Sequence, residues 1–355
     1  MLNEQKGEQW LTLYEKEARW NLTDTTITPR KLSDILKYEP DVFDDIQLDY
    51  GDITGSDRLK KAILSQYATG TADNVTTTAG CINANQLVMD ELISPEDKVV
   101  VFTPGYAQYL EYPKALGAQV AEVKLEDDYD VDFEQLEKQA EGAKLIILSN
   151  PDNPSGTVLT ESELIRLAGI ARKNDAWILC DEVYRGIGPD ILPSISDLYE
   201  KGIATSSLAK AFGMPGLRIG WVKAARSLID RLNIRRDYTM ISTATLNDTL
   251  AAIVLEHAAD FLDEHNTLRN ANAQILKDWL ETNPDFSASV PDYGLVCLLS
   301  IPDDDDVSWT TRLFESTGVL FIPGSFFGAP GKVRIGLGID SEVLKAGLEQ
   351  VTLHA

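Results

Sequence analysis

The sequence predicts an α/β protein in which a large domain with a mostly parallel central sheet is joined to a smaller α+β domain. Short apolar runs recur between segments of helical period, which is typical of a parallel sheet covered by helices on both faces. From about Leu246 this alternation gives way to a long helical pattern. The chain has 355 residues, 44% of them hydrophobic, and is therefore long enough for two domains.

Four apolar runs are the candidate strands of the central sheet, because each ends at turn or polar residues. They cover residues 98–102, 145–148, 177–180 and 217–222. Between them lie helical stretches, of which the clearest begins after Thr160. That threonine is followed three residues later by Glu163, so the pair forms a capping box ahead of the apolar positions Leu164 and Leu167.

The smaller domain is predicted mainly from the C-terminal part of the chain. The helical pattern that starts at Leu246 breaks near Asn283, and candidate strands follow at residues 294–300 and 332–337 with a closing helix from Ser341. The first 40 or so residues are polar and helical in tendency, and we expect them to pack on this unit. The predicted boundaries are 44–255 for the large domain, and 1–43 with 256–355 for the small domain.

Charge and cysteine content exclude several classes of function. The net charge is −24, so nucleic acid and anionic membranes would be repelled. Cys81, Cys180 and Cys297 are odd in number and lack a CxxC pair, which predicts neither disulfides nor a zinc site. No secretory-type start and no run of about 18 apolar residues occurs. We therefore predict a cytoplasmic protein with no metal, nucleic acid or membrane partner.

Lys210 is the first candidate catalytic residue. It lies among small and hydroxylated residues in the run 206–220 (SSLAKAFGMPGLRIG). A lysine that forms a Schiff base must be neutral when it attacks, and burial with Arg218 nearby disfavours its charged form. Ser207 and Arg218 would add a hydroxyl and a guanidinium for a phosphate. The alternative is an ordinary surface lysine in a loop.

Two further patches suit a small cofactor that carries a phosphate and a flat ring. Gly80 forms a turn that opens an apparent helix at Cys81 and Ile82, and the free N–H groups and dipole of a helix start suit a phosphate. Tyr106 follows the strand at 98–102 and could stack on a ring. An ordinary helix start and a core tyrosine are the alternatives.

Two polar residues at other strand ends complete the pattern. Asn153 lies in the proline-rich turn 149–156, where its amide could donate to a phenolic oxygen. Asp181 ends an apolar strand, and a carboxylate that emerges from a core needs a cation, which a protonated pyridine nitrogen would provide. A structural salt bridge to an arginine is the alternative for Asp181.

Together these motifs resemble the class I and II aminotransferases of the fold type I pyridoxal phosphate superfamily. The resemblance rests on residues 150–156 (NPDNPSG), 181–184 (DEVY), 207–210 (SLAK) and 216–220 (GLRIG), and it covers about residues 45 to 340. It implies the fold type I transferase-like architecture and pyridoxal 5′-phosphate as the cofactor, bound by the large domain.

The resemblance also implies a role for each matching residue. Lys210 would form the internal aldimine, Asp181 would pair with the pyridine nitrogen, and Tyr106 would stack on the ring. Asn153 and Tyr184 would bond the phenolic oxygen. The phosphate would be held by the backbone of Gly80, Cys81 and Ile82, together with Ser207 and Arg218.

Two positions extend the resemblance beyond the cofactor. Tyr50 resembles the tyrosine that reaches the phosphate of the neighbouring subunit, which implies a homodimer with shared sites. Arg334 resembles the arginine that binds the substrate α-carboxylate, beside Asn153, through a fork that lysine cannot copy. Two departures stand out: Ala209 replaces a second serine that many relatives have beside the lysine, and residues 17–22 differ from the usual opening.

The implied function is a pyridoxal phosphate-dependent aminotransferase that moves the amino group of an amino acid to a 2-oxo acid. The same scaffold also supports lyases, decarboxylases, cyclases and oxidases, because the Cα bond perpendicular to the ring is the one that breaks. A ligand-sensing regulator of this fold would need a DNA-binding module. Only about 40 residues precede the matching region and the chain is acidic, so the sequence disfavours that alternative.

Overall fold

Residues 3–354, which the computed structural model describes, form twelve strands in three sheets. The strands are β1 (Trp20–Asn21), β2 (Val75–Thr78), β3 (Lys98–Thr103), β4 (Gln119–Lys124), β5 (Ala143–Ser149), β6 (Trp177–Asp181), β7 (Gly202–Ser207), β8 (Gly220–Lys223), β9 (Val296–Ser300), β10 (Val319–Leu320), β11 (Ile322–Pro323) and β12 (Lys332–Gly336).

Helices surround these sheets throughout the described chain. They are α1 (Lys6–Tyr14), α2 (Leu32–Leu36), α3 (Asp57–Leu64), α4 (Cys81–Leu92), α5 (Ala107–Ala115), α6 (Phe133–Gln139), α7 (Glu161–Lys173), α8 (Ile195–Leu198), α9 (Arg226–Arg236), α10 (Thr245–Glu256), α11 (Ala258–Thr282), α12 (Asp306–Thr317) and α13 (Ser341–His354). The predicted capping box is confirmed, because Thr160 and Glu163 satisfy each other's backbone N–H at the start of α7.

The central sheet has seven strands in the order β2-β8-β7-β6-β5-β3-β4. Neighbouring strands are parallel except at β8, which is antiparallel to both β7 and β2. Because the other six strands run the same way, their carboxyl ends meet at one edge of the sheet. Residues that follow β2, β3, β5, β6 and β7 are therefore gathered at that edge, where ligands bind in open α/β sheets.

The mostly parallel α/β architecture is confirmed, and three candidate strands correspond to β3, β5 and β6. The candidate strand 217–222 was wrong at its start. A short 3₁₀ turn ends at Leu217 and Arg218 has a left-handed φ of +48°, so the strand begins only at Gly220. We did not predict β2 or β7, because their sequences, VTTT and GIATSS, are rich in hydroxyl residues although both strands are fully buried.

A second, antiparallel sheet has the order β11-β12-β9. Its apolar residues pack with α11, α12 and α13 in a cluster separate from those of the central sheet. The C-terminal strand and helix predictions correspond to β9, β12 and α13. The helical pattern from Leu246, however, is two helices, because α10 ends at Glu256 and α11 begins at Ala258.

The N-terminal segment packs on both parts of the molecule. Trp10 of α1 lies in a cluster with Leu320, Ile322 and Phe327, and β1 pairs with β10, as we expected for this segment. Ile35 of α2 instead packs in the core that contains α3 and α10, so the expectation was wrong for that helix. Within residues 3–354, no helix has the length and apolar character needed to cross a membrane.

Candidate active site

A cleft of about 580 Å³ opens at the carboxyl edge of the central sheet, a volume within the range of cofactor sites. Residues of the seven-stranded sheet, the three-stranded sheet and α1 line it. Ten of the twelve predicted site residues are among them: Cys81, Ile82, Tyr106, Asn153, Asp181, Tyr184, Ser207, Lys210, Arg218 and Arg334. Of the other two, Gly80 lies next to the cleft under Arg218, whereas Tyr50 is 69% exposed and lies outside it.

Lys210 lies just after β7, with its amine inside the cleft. Its Nζ donates to the Oγ1 of Thr25. Burial lowers the pKa of Lys210 to about 8, although the negative charge of Asp24 opposes the shift, and the positive charge of Arg334 contributes to it. A larger share of this amine is therefore neutral near physiological pH than is usual for lysine.

Asp181 is the last residue of β6, and its carboxylate is held by three donors. Its Oδ2 accepts hydrogen bonds from Asn85 Nδ2 and Tyr109 OH, both at 2.8 Å, and its Oδ1 accepts from the backbone N–H of Val183 at 3.1 Å. The residue is 5% exposed. Among residues 3–354 it forms no ion pair, so the structural salt bridge to an arginine is not found there.

The start of α4 and Arg218 form one end of the cleft. Gly80 caps α4 with a left-handed φ of +88°, and a Cβ at this position would lie 2.4 Å from Nη2 of Arg218. Gly220 is packed equally tightly, since its Cβ would lie 2.5 Å from the carbonyl carbon of Gly80. Glycine at both positions therefore lets the turn and the guanidinium approach each other.

This end of the cleft offers several donors to an anion. The first-turn N–H groups of a helix such as α4 have no carbonyl partner within the helix, and they carry its positive dipole. Arg218 donates to the carbonyl oxygens of Pro215 and Ala79 at 2.9 and 3.2 Å. Ser207, 1% exposed, ends β7 and also lines the cleft.

Arg334 lies on β12, lines the same cleft and is 5% exposed. Its Nη1 donates to Asn153 Oδ1 at 3.0 Å and its Nη2 to the carbonyl oxygen of Thr23 at 3.3 Å. Its guanidinium carbon also lies 4.8 Å from the ring centroid of Phe327. The Nε atom is buried without a partner among the described residues, and no carboxylate pairs with this guanidinium there. Such a site is suited to a carboxylate ligand.

Two tyrosines complete the floor and wall of the cleft. Tyr184 is 1% exposed, and burial raises the pKa of its phenol. Burial also raises the pKa of Tyr106 to about 12. Both side chains are therefore neutral hydrogen-bond donors at physiological pH. The ring of Tyr106 packs edge-on against Tyr109, with 5.5 Å between centroids.

Several residues in and around the cleft were not predicted from the sequence. Tyr109 follows Tyr106 by three residues, so helical spacing in the first turn of α5 could have indicated it. Asn85 lies one turn after Cys81 in α4 and could have been found in the same way. Thr25, in contrast, reaches Lys210 from a segment 185 residues away, and no local pattern marks it.

The donor set fits pyridoxal 5′-phosphate. The cleft offers an amine with a lowered pKa for an aldehyde, a carboxylate without an ion-pair partner among the described residues for a pyridine nitrogen, and a helix start with a guanidinium for a phosphate. Because Gly80 has no Cβ, no side chain of its own lies between the backbone of this turn and Arg218. Arg334 also lines the cleft, and its guanidinium has no carboxylate partner among the described residues, which suits it to a substrate carboxylate.

Comparisons with known proteins agree with this fit. Residues 31–351 match the sequence model of the family described as aminotransferase class I and II. The fold is similar to the crystal structure of a PLP-dependent aminotransferase from Streptococcus suis, with a TM-score of 0.96 and 33% identity over 99% of this chain and 97% of that chain. It is also similar to the PLP-dependent cyclase OrfR, with a TM-score of 0.93 and 24% identity over 99% and 97% of the two chains. Capreomycidine synthase from Streptomyces vinaceus is 26% identical, over 98% of this chain and 94% of that protein.

Proposed function

The chain belongs to the aminotransferase class I and II family of fold type I enzymes, with pyridoxal 5′-phosphate as cofactor, and we propose that it transfers the amino group of an amino acid to a 2-oxo acid. One observation carries this proposal. Lys210, with a pKa of about 8, and Arg334, a buried guanidinium that has no carboxylate partner among residues 3–354, line the same cleft. An amine that moves protons and a carboxylate-binding group are what an amino acid requires.

The cofactor would be held by the residues at the sheet edge. When bound, pyridoxal 5′-phosphate supplies an aldehyde that accepts an amine and a ring that withdraws electrons from the substrate Cα. Gly80, Cys81 and Ile82 would bind the phosphate through backbone N–H groups, together with Ser207 Oγ and the guanidinium of Arg218.

The ring would be oriented by three further side chains and covered by a fourth. Asp181 would keep the pyridine nitrogen protonated, since Asn85 and Tyr109 already hold its carboxylate in place. Asn153 and Tyr184 would donate to the phenolic oxygen, and Tyr106 would stack on the ring.

Two residues that line the same cleft would hold the substrate and take its proton. Arg334 would bind the α-carboxylate through its guanidinium, which Asn153 holds in place by accepting from Nη1. Lys210 Nζ would take the proton from the substrate Cα, because its lowered pKa makes the neutral amine available as a base. Lys210 would then return the proton at a position away from the substrate Cα, and water would release the 2-oxo acid. The same steps in reverse, with a second 2-oxo acid, would complete the transfer of the amino group.

A homodimer with shared sites is part of the proposal. Tyr50 is 69% exposed and Leu48 is 79% exposed on one loop. That loop is joined to the start of α10 by a bond of 3.1 Å from Thr245 Oγ1 to the carbonyl oxygen of Asp49, near the exposed Ile241. A second copy would cover these apolar side chains and bring Tyr50 to its neighbour's phosphate. Light scattering should give twice the chain mass.

The test is a half-reaction on the holoenzyme without any 2-oxo acid. Amino acids added singly should remove the yellow absorbance of the cofactor and release one equivalent of 2-oxo acid per site. The variant Lys210→Ala should release none, and borohydride should attach no cofactor to it. Release of ammonia with return of the yellow colour would contradict transamination.

A second candidate is another reaction on the amino acid Cα or side chain, such as cyclisation. It is favoured by the match with capreomycidine synthase, which extends over 98% of this chain. The same half-reaction separates the two, because a cyclase would consume the amino acid without a stoichiometric 2-oxo acid.

A further inference from the structure

Three carboxylates line the part of the cleft that is formed by the N-terminal segment. Glu8 lies on α1, Glu15 caps the end of the same helix, and Asp24 follows β1. Asp24 and Glu8 are close enough to act on the cations at the centre of the cleft, since both carboxylates raise the pKa of Lys210 and of Arg334 against the effect of burial.

These three carboxylates are not neutralised within the described residues. None of them forms an ion pair there. Asp24 is half-buried, and its Oδ1 accepts hydrogen bonds only from the backbone and hydroxyl of Thr26, at 2.9 and 3.0 Å. Its other carboxylate oxygen has no hydrogen-bond donor in the described chain. A carboxylate that is partly desolvated and unpaired favours a cation beside it.

Each basic residue that lines the cleft already has a role in the proposed function. In residues 3–354 the lining contains Lys210, Arg218 and Arg334. Arg218 lies at the proposed phosphate end, Lys210 is the proposed reacting amine, and Arg334, which is 95% buried and has no carboxylate partner among the described residues, is suited to the α-carboxylate. Among the described residues that line the cleft, this leaves no cation for a second substrate carboxylate, whereas three carboxylates there form no ion pair.

We propose that the amino acid substrate carries a cationic side chain, a guanidinium or an ammonium group, that is recognised by Asp24 and Glu8. This inference rests on the proposed function, because it takes the cleft to hold an amino acid whose α-carboxylate is on Arg334. Asp24 contributes most, since it is half-buried, whereas Glu8 and Glu15 are exposed and more strongly screened by water and salt. The same charges disfavour aspartate and glutamate as donors.

The test compares ligands of nearly equal shape and different charge. Holoenzyme is titrated with L-arginine, with L-citrulline, which replaces the guanidinium by a neutral urea, and with L-glutamate, and Kd is taken from the change in cofactor absorbance. We expect arginine to bind about tenfold more tightly than citrulline, and more tightly still than glutamate. Salt should weaken arginine binding more than citrulline binding.

Variants that each remove one negative charge test which carboxylates recognise the cationic side chain of the substrate. Asp24→Asn retains the oxygen that accepts from Thr26, so it should fold normally and raise the Kd of arginine about threefold to fivefold while leaving that of citrulline nearly unchanged. Glu8→Gln should act in the same direction with a smaller effect. Glu17→Gln is the control, because Glu17 is exposed and does not line the cleft.

The two proposals fail in different ways. Equal Kd values for arginine and citrulline, or an equal rise for both ligands in Asp24→Asn, would overturn recognition of a cationic side chain. Release of 2-oxo acid, measured in the same samples, reports separately on transamination. A preference for arginine without any 2-oxo acid would therefore support the charge recognition and reject only the transfer of the amino group.

Discussion

The acid–base behaviour of Lys210 provides a quantitative test of the site. Burial lowers its pKa from 10.5 to about 8, because the ammonium ion loses hydration. At pH 7 this leaves about one amine in ten neutral, compared with about one in 3,000 for an ordinary lysine. Only the neutral amine attacks an aldehyde. The rate at which the apoprotein takes up pyridoxal 5′-phosphate should therefore rise with pH and level off above about pH 8.

Two substitutions should move this midpoint in opposite directions. Asp24 raises the pKa of Lys210, so Asp24→Asn should lower the midpoint and speed cofactor attachment at pH 7. Arg334 lowers the pKa of Lys210, so Arg334→Met should raise the midpoint and slow attachment at pH 7. Neither change alters the amine itself, and the opposite signs separate electrostatics from general damage to the fold.

The assay mixes apoprotein with the cofactor between pH 6 and 10, stops the reaction with borohydride, and measures the modified Lys210 by mass spectrometry. Glu17→Gln serves as the control, since Glu17 does not line the cleft. A wild-type midpoint near 10, or shifts of the same sign in Asp24→Asn and Arg334→Met, would refute the reasoning.

Three further substitutions test other parts of the structure. Tyr109→Phe removes one donor to Asp181, a charge-assisted bond worth about 1.5–3 kcal/mol, so kcat should fall at least about tenfold; an unchanged kcat would contradict the role of this bond. Gly220→Ala places a Cβ 2.5 Å from the backbone of Gly80 and should weaken cofactor binding in equilibrium dialysis, whereas Gly216→Ala, which meets nothing within 4 Å, should not. Arg236→Met should raise Tm in a thermal melt, because Arg236 is fully buried and its guanidinium has no partner among the described residues; a lower Tm would show that the charge is compensated.

The cofactor end of the site could be predicted because its residues occupy the ends of strands. Asp181 follows an apolar run directly, and Asn153 follows another within a few residues. A parallel sheet places such positions at one edge, so a local pattern in the sequence becomes a cluster in space. The strands β2 and β7 were not predicted, because both are buried but rich in hydroxyl residues, and apolar runs were the signal used to find strands.

The contacts around Arg334 and Lys210 could not be predicted in this way, because they join distant segments. Arg334 meets Thr23 across 311 residues and Asn153 across 181 residues, and Lys210 meets Thr25 across 185 residues. Each of these contacts depends on how the N-terminal segment and the three-stranded sheet lie over the central sheet. No periodicity or spacing within one segment encodes that arrangement.

Because the chain is so acidic, the sequence alone does not show which carboxylates contribute to the proposed substrate specificity. With 56 acidic residues and a net charge of −24, a single aspartate or glutamate carries little information, and most serve to keep the surface hydrated. Asp24 differs only in its surroundings: it is half-buried, it lacks a cation among the described residues, and its charge acts on Lys210. Desolvation turns an ordinary acidic residue into one that selects for charge. The choice of substrate is therefore expected to depend on the packing of the N-terminal segment, where the sequence departs from the family pattern.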